Sequence, residues 1–293
     1  MNFVGISGSS KLPYMLDQNA WDPLPHQHEV PTPLCLARVK REIARIYTRP
    51  PHGIFIEPEE NNVTKMHALI VGPPDTPYEG GFFHFLVKCP PNYPVSPPRV
   101  RIMTTDGGRV RFNPNIYPCG KVCLSILGTW PGPSWNATQN IETVLISIQS
   151  LMNEKPYFNE VGYDKEKKPG DSSRYNAVIQ HETIRVAVCD AVEACLAGNS
   201  ECPPALRQRI LKAFPVYYSR YAKLVGDQVH LDGTAMMDPF GHHRGVYQHR
   251  RLLERLRRLN EHLSATGPNP EGKEDAAQSS VEIPSSRASS DRD

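Results

Sequence analysis

No stretch of this 293-residue chain comes near the roughly 20 consecutive apolar residues needed to cross a bilayer. The opening MNFVGISGSS lacks the basic flank and long apolar block of a secretory leader. A soluble, intracellular protein is therefore expected, cytoplasmic and also nuclear. Charge of one sign is missing as well: 33 basic residues against 31 acidic leave a formal charge of +2. Binders of nucleic acid or anionic membrane carry a concentrated basic face, so neither is expected as the main partner. The seven cysteines contain no CxxC pair, which leaves free thiols and no metal as the expectation. Cys189, Cys195 and Cys202 with His181 are spaced poorly for tetrahedral zinc.

Proline is what the chain has in excess. Fifteen of its 29 prolines lie between Pro50 and Pro133, inside otherwise folded-looking sequence, so that part must turn often. Residues 1–33, rich in Gly, Ser, Pro and His, read as a flexible segment with a candidate anchor at Trp21. Residues 264–293 hold only Val281 and Ile283 as large aliphatics, too little apolar surface to offset the entropy of ordering, and read as a disordered Ser-rich tail.

Between these ends, Leu36, Val39, Ile43, Ile46 and Tyr47 recur at helical spacing before a Pro50, Pro51 stop. Three β-like runs follow, at 66–71, 82–89 and 99–103, separated by GPPDTPYEGG and PPNYPVSPP, and such short linkers favour an antiparallel meander. Ile141, Val144, Leu145, Ile148, Leu151 and Met152 form one stripe of a second helix, broad enough to pack on a sheet. Further helices are expected with Asp171 and Ser172 as caps, from Pro203 and Pro204 onward with Pro215 kinking or dividing the helix, and through Leu252, Leu253, Leu256, Leu259 and Leu263. The arginines of that last helix suit a solvated face, with a docking surface as the alternative.

The chemistry-bearing stretch is NPNIYPCGKVCLSILGTW, residues 113–130. It places a thiol, Cys123, eight positions after the amide of Asn115. A loop thiol beside a hydrogen-bond donor suits acyl transfer, in which sulfur attacks a carbonyl and the donor stabilises the oxyanion. A lone cysteine in an apolar run is, from spacing alone, more often a small buried hydrophobe, and no histidine stands nearby as a base.

The fragments VKREIARIYTRPPHGIFI, GPPDTPYEGGFFHFLVKCPPNYPVSPPRV and NPNIYPCGKVCLSIL resemble, in order and spacing, the first helix, central strands and active-site segment of the ubiquitin-conjugating enzyme family. The resemblance implies an α+β core over 34–162, made of an N-terminal helix, a four-stranded antiparallel meander and a central helix, with a helical C-terminal extension over 163–263. It implies that Cys123 accepts ubiquitin as a thioester from an activating enzyme and passes it to a substrate lysine, directly or through a ligase. Asn115 then matches the asparagine that stabilises the oxyanion or holds the loop, and Asn113 replaces the family's usual histidine. Asn159 and Glu160 lie near the position where an acidic residue assists lysine deprotonation. Arg38, Lys40 and Arg41 resemble the face that meets the activating enzyme. Val95, Pro97 and Trp135 fall where ligases grip, although Trp135 stands four residues farther from the cysteine than usual.

NPN, CLSILGTW, NEKPYFNE and HETIRVAVCD resemble one subgroup of that family out to about residue 260. This implies pairing with ubiquitin-like modifier-activating enzyme 6 and use of ubiquitin D beside ubiquitin. No cofactor is expected to be bound, since ATP is consumed by the upstream activating enzyme. The alternatives are an inactive variant that only binds ubiquitin or a partner, and an enzyme for another ubiquitin-like modifier.

Overall fold

The structure, a computed structural model, describes residues 20–266. Helix α1 (Pro33–Thr48) begins where Thr32 accepts the Cys35 amide and Pro33 occupies the first turn, whose amide would otherwise be unpaired. It is followed by β1 (Ile54–Glu59), β2 (Asn62–Val71), β3 (Phe82–Lys88) and β4 (Arg99–Ile102), paired antiparallel in chain order. The expected meander is therefore present, with a longer second strand than the 66–71 run suggested. Helix α2 (Ile141–Leu151), capped by Asn140 on the Thr143 amide, lays Ile141, Val144, Leu145 and Ile148 into the core with Val39, Ile43 and Ile46 of α1. From the sheet come Ile54, Met66, Ala68, Ile70, Phe83, Phe85 and Val87. Tyr47, expected on the buried stripe of α1, is exposed, because its ring reaches only the edge of β1 at the Ile56 carbonyl.

The opposite face of the sheet is covered too. Helix α3 (Asp171–Glu182) runs through a π-helical stretch, Thr183–Asp190, into α4 (Ala191–Leu196), and is followed by α5 (Pro204–Asp227) and α6 (His249–Thr266). Leu69 and Phe82 pack with Ile184, Val188, Leu206, Ile210, Phe214, Tyr221, Leu252 and Leu256 in a second apolar cluster, and Arg209 lies over the Phe55 ring at 4.4 Å. Tyr221 donates to the Gly80 carbonyl at 2.7 Å, and a side chain at Gly80, whose φ is +69°, would strike the Tyr221 ring at 2.7 Å. Cys189, Cys195 and Cys202 belong to this apolar cluster.

Several expectations need correction. Pro215 does not divide α5, because Leu206, Ile210, Phe214, Tyr221 and Val225 on both sides of it are buried along one face. Asp171 and Ser172 do not cap α3. The cap position is Gly170 at φ +81°, and the carboxylate of Glu166 accepts the amides of Gly170 and Ser172, both at 2.9 Å. The 20–32 part of the supposedly flexible N-terminal segment is tied down: Arg101 pairs with Asp22 at 2.5 Å and lies over the Trp21 ring, while Arg99 grips both carboxylate oxygens of Glu29. Residues 264–266 continue α6, and the rest of the proposed disordered tail, like residues 1–19, lies outside the described residues. The small hairpin β5 (Ala235–Met237) and β6 (His243–Val246) was not foreseen, its strands being short and mostly exposed. Arg255 of α6 turns inward to Asp190 and Glu193, at 2.6 Å each, while Arg250 and Arg257 stay exposed.

Because α6 seals the second cluster, Leu256→Ala is expected to lower the unfolding free energy by about 2–5 kcal/mol through lost burial and a residual cavity. Urea denaturation monitored by circular dichroism measures this, and a change under 1 kcal/mol would show that α6 is an appendage.

Candidate active site

Residues 110–123 leave β4 and double back as two short backbone bridges, Asn113 with Ile116 and Ile116 with Val122. The Cys123 amide donates to the Asn115 carbonyl at 2.8 Å, and Asn115 Nδ2 donates to the Cys123 carbonyl at 3.3 Å. The two residues, eight apart in sequence, are thus locked side by side through the Cys123 backbone. One amide hydrogen of Asn115 is spent on this lock, so the residue holds the loop and keeps one further donor.

Asn113 explains why the segment keeps this form without a histidine. Its fully buried amide donates to the Tyr78 hydroxyl at 2.9 Å and to the Leu151 carbonyl at 2.8 Å, and its oxygen accepts the Asn115 amide at 2.9 Å. Tyr78 in turn donates to the Phe112 carbonyl at 2.8 Å. Every polar atom of the side chain is satisfied, as burial requires. Thr129, which the sequence gave no reason to single out, staples the other flank: its hydroxyl donates to the Val122 carbonyl at 2.6 Å and accepts the Leu124 amide at 3.0 Å. A Ser or Thr hydroxyl closing a local backbone loop is a recurrent motif, but the residue type alone does not say which hydroxyl does so.

Cys123 is only 4% exposed. Burial pushes its thiol above the ordinary value, against the pull of the Lys121 and Arg111 cations, with Cys119 and Glu160 adding to the rise. Cys119 itself is exposed. The resting sulfur is therefore a protonated thiol at neutral pH, which a thioester exchange tolerates because thiolate is needed only transiently.

The remaining candidates divide. Glu160 lies on the active-site rim, paired with Arg111 at 3.2 Å and close enough to raise the Cys123 pKa. Asn159 does not face an incoming amine: its Nδ2 donates to the Leu151 carbonyl at 2.9 Å and its oxygen accepts Asn153 Nδ2 at 2.9 Å, so the amide is committed to the backbone frame. Arg38 is also withdrawn from the basic face of α1. Its Nε donates to the buried carboxylate of Glu42 and its Nη2 to the Gln139 carbonyl at 2.8 Å, while Lys40 and Arg41 remain exposed. The i, i+4 spacing of Arg38 and Glu42 could have shown this. Glu42 also accepts the Tyr93 hydroxyl at 2.7 Å and the Ile141 amide at 2.9 Å, joining α1, the YPVSPP loop and the start of α2. On that loop Val95 is 71% exposed and Pro97 partly so. Trp135 packs against Tyr93 at 5.9 Å and donates to the Pro94 carbonyl at 2.7 Å, so the residues expected to meet a ligase lie on neighbouring parts of one surface.

The sequence-based comparisons agree with this geometry. A family model described as ubiquitin-conjugating enzyme matches residues 38–178. The chain is 51% identical over 248 residues to ubiquitin-conjugating enzyme E2 Z of Xenopus tropicalis, covering 84% of this chain and 78% of that protein. It is 49% identical over 267 residues to the E2 Z of Danio rerio, covering 90% and 80%. Against the Homo sapiens E2 Z it is 54% identical over 239 residues, covering 80% and 66%. These E2 Z proteins are the subgroup to which the four fragments ending in HETIRVAVCD pointed.

Two outcomes test the site. Asn113→Ala takes the acceptor from the buried Asn115 amide, while the Leu151 carbonyl keeps Asn159 and the Tyr78 hydroxyl keeps the Phe112 carbonyl, and is expected to cost about 1–3 kcal/mol of stability for the stranded amide. Denaturant unfolding reads the loss, and faster amide exchange at Asn115 locates it. Because its thiol is pushed up, alkylation of Cys123 by iodoacetamide, followed on its tryptic peptide, is expected to be slow at pH 7 and to keep rising beyond pH 9. A plateau by pH 7 would contradict the burial argument.

Proposed function

The chain belongs to the ubiquitin-conjugating enzyme family, transferases that work through a cysteine thioester, and on that premise we propose that Cys123 is the cysteine that carries ubiquitin. The observation that carries this reading is the double backbone and side-chain lock between Cys123 and Asn115.

In the loading step Cys123 loses its proton to solvent or to the departing sulfur, and its thiolate attacks the thioester carbonyl presented by the activating enzyme. The tetrahedral oxyanion is met by an amide donor of Asn115, and collapse expels the activating enzyme's thiolate. In the discharge step a neutral substrate lysine attacks the new thioester, Cys123 leaves as thiolate, and the amine surrenders one proton. Lysine, with an ordinary pKa near 10.4, must be stripped of a proton to react. Asn159 is committed elsewhere and cannot supply a base. Glu160, the one carboxylate of the candidate set, sits in an ion pair with Arg111; there it orients an amine and accepts a hydrogen bond better than it captures a proton outright.

The resemblance to E2 Z supports loading by ubiquitin-like modifier-activating enzyme 6, with ubiquitin D as a second modifier, and discharge directly or through ligases onto substrate lysines; we propose that this takes place in the cytoplasm and nucleus. Lys40 and Arg41 form the exposed basic surface for the activating enzyme. Val95, Pro97 and Trp135 form the ligase surface, with Trp135 fixed by its bond to Pro94. No bound cofactor enters either step, the ATP being used upstream.

The test is thioester loading on a non-reducing gel with ubiquitin, ATP and each ubiquitin-activating enzyme in turn. A thiol-labile adduct is expected with the wild type, none with Cys123→Ala, and discharge to free lysine slowed on the order of a hundredfold in Asn115→Ala, as for loss of one oxyanion donor. An adduct that survives in Cys123→Ala would move the chemistry elsewhere. No adduct with a folded protein would favour another modifier and then the binding-only reading.

A further inference from the structure

The C-terminal extension reaches the active site through a segment that does not belong to its helices. Between β5 and β6 the chain turns at Asp238, whose carboxylate accepts the Phe240 amide at 2.8 Å and Arg244 Nε at 2.8 Å. The ring of Phe240 fills an aromatic cage made by Tyr157 at 5.4 Å, Tyr163 at 5.1 Å and Tyr175 at 4.9 Å. Phe240 therefore anchors the turn onto the loop that carries Asn159 and Glu160.

From this anchored turn two side chains converge on Arg111. Arg244 Nη2 donates to the Arg111 carbonyl at 2.8 Å, and His242 Nε2 lies 3.3 Å from Arg111 Nη1, where it can accept. The guanidinium of Arg111 then donates through Nη2 to the Pro114 carbonyl at 2.5 Å and to Glu160 at 3.2 Å, and lies 4.4 Å over the Tyr117 ring. Pro114 immediately precedes Asn115, whose carbonyl receives the Cys123 amide. Polar contacts joined through Arg111 and the Pro114–Asn115 peptide thus run from Asp238 to the backbone amide of Cys123.

The chemistry of these contacts argues for more than a prop. The side chains of Arg244 and Asp238 are 4% and 0% exposed, and burying such a pair costs desolvation that an apolar contact of the same volume would avoid. A planar guanidinium with fixed donors sets direction as well as distance. We propose that residues 235–246 are part of the transfer site: Arg244 and His242 are positioning residues that hold Arg111, and Arg111 holds the segment bearing Asn115, together with Glu160, in register with Cys123. This rests on the assignment of Cys123 as the thioester residue. A helical extension in this architecture is then a component of the catalytic loop's geometry, and Arg111 has two separable duties: its charge lowers the cost of thiolate formation, and its fork aims the asparagine.

The experiment uses the full chain and two readouts. The first is the pH profile of Cys123 alkylation by iodoacetamide, which needs no other protein; the charges acting on that sulfur are Lys121 and Arg111, opposed by Cys119 and Glu160. The second is single-turnover discharge of the loaded enzyme to free lysine, as kcat and KM. Arg111→Met is expected to move the alkylation profile to higher pH and to slow discharge at least tenfold. Arg111→Lys keeps the charge but not the fork, so the profile stays and kcat for discharge still falls with KM for lysine unchanged. Arg244→Ala is expected to cut discharge about tenfold, with partial recovery in Arg244→Lys. His242→Ala, at an exposed imidazole that does not threaten folding, should cut it two- to fivefold. Wild-type discharge in His242→Ala and Arg111→Lys would overturn the proposal, as would losses matching only the unfolded fraction seen by circular dichroism. A wild type that loads no modifier would instead overturn the proposed function, while the alkylation profiles still report whether Arg111 and its holders act on Cys123.

Discussion

The segment before Cys123 is tied to the rest of the fold by one buried amide. Asn113 bonds the Tyr78 hydroxyl, the end of α2 at Leu151 and the backbone of Asn115 together. A buried amide must satisfy every donor and acceptor or lose more than it contributes, so its position fixes three stretches of chain far apart in sequence. Asn159 extends the same frame, lying 3.5 Å from Asn113 Oδ1 and bonding the same Leu151 carbonyl. The thiol can then sit in an almost closed loop without strain, because the backbone polar groups around it are already paired.

A second constraint comes from the sheet. Alternation along β2 and β3 sends Met66, Ala68, Ile70, Phe83 and Phe85 to α1 and α2, and Leu69 and Phe82 to the C-terminal helices. Both faces being apolar, neither layer of helices can be removed without wetting a sheet surface. Ionic contacts frame this packing at its rim. Arg185 spans Glu182 and Asp106, at 2.5 and 2.9 Å, and Arg220 grips Glu79 at 2.8 Å, each joining the extension to a loop of the core. The core and extension therefore share one interior, and Tyr175, Ile179 and Val186 from the extension sit in the same apolar cluster as α1 and α2.

How much of this was legible in the sequence follows from the distance between partners. Cys123, Asn115 and Asn113 fall within eleven residues, and their motif reads directly. The periodicity of α1 and α2 is equally plain, since a stripe facing a sheet leaves its imprint on every turn. Arg111 was not visible as a positioning residue, because its partners Glu160 and His242 lie 49 and 131 residues on. Asn159 was misread for the opposite reason: alignment located it near the site, but only the backbone accounting of the Leu151 carbonyl shows that its amide is spent. Pro215 misled because local propensity argued for a break, whereas burial on both sides of the proline outweighs one missing hydrogen bond. The β5 and β6 hairpin left no imprint, since three and four residues are too few to show alternation.

The two-sided sheet also sets the order of events during synthesis. Leu69 leaves the ribosome roughly 190 residues before Leu256, the residue that finally seals its neighbourhood. At about 5–20 residues per second this interval lasts on the order of 10–40 s. The nascent meander can pair its strands and close over α1 and α2 in that time, but Leu69 and Phe82 stay wet until α5 and α6 emerge. Folding of this chain is thus completed from its C-terminal side, and the species with a wet sheet face is the half-made polypeptide.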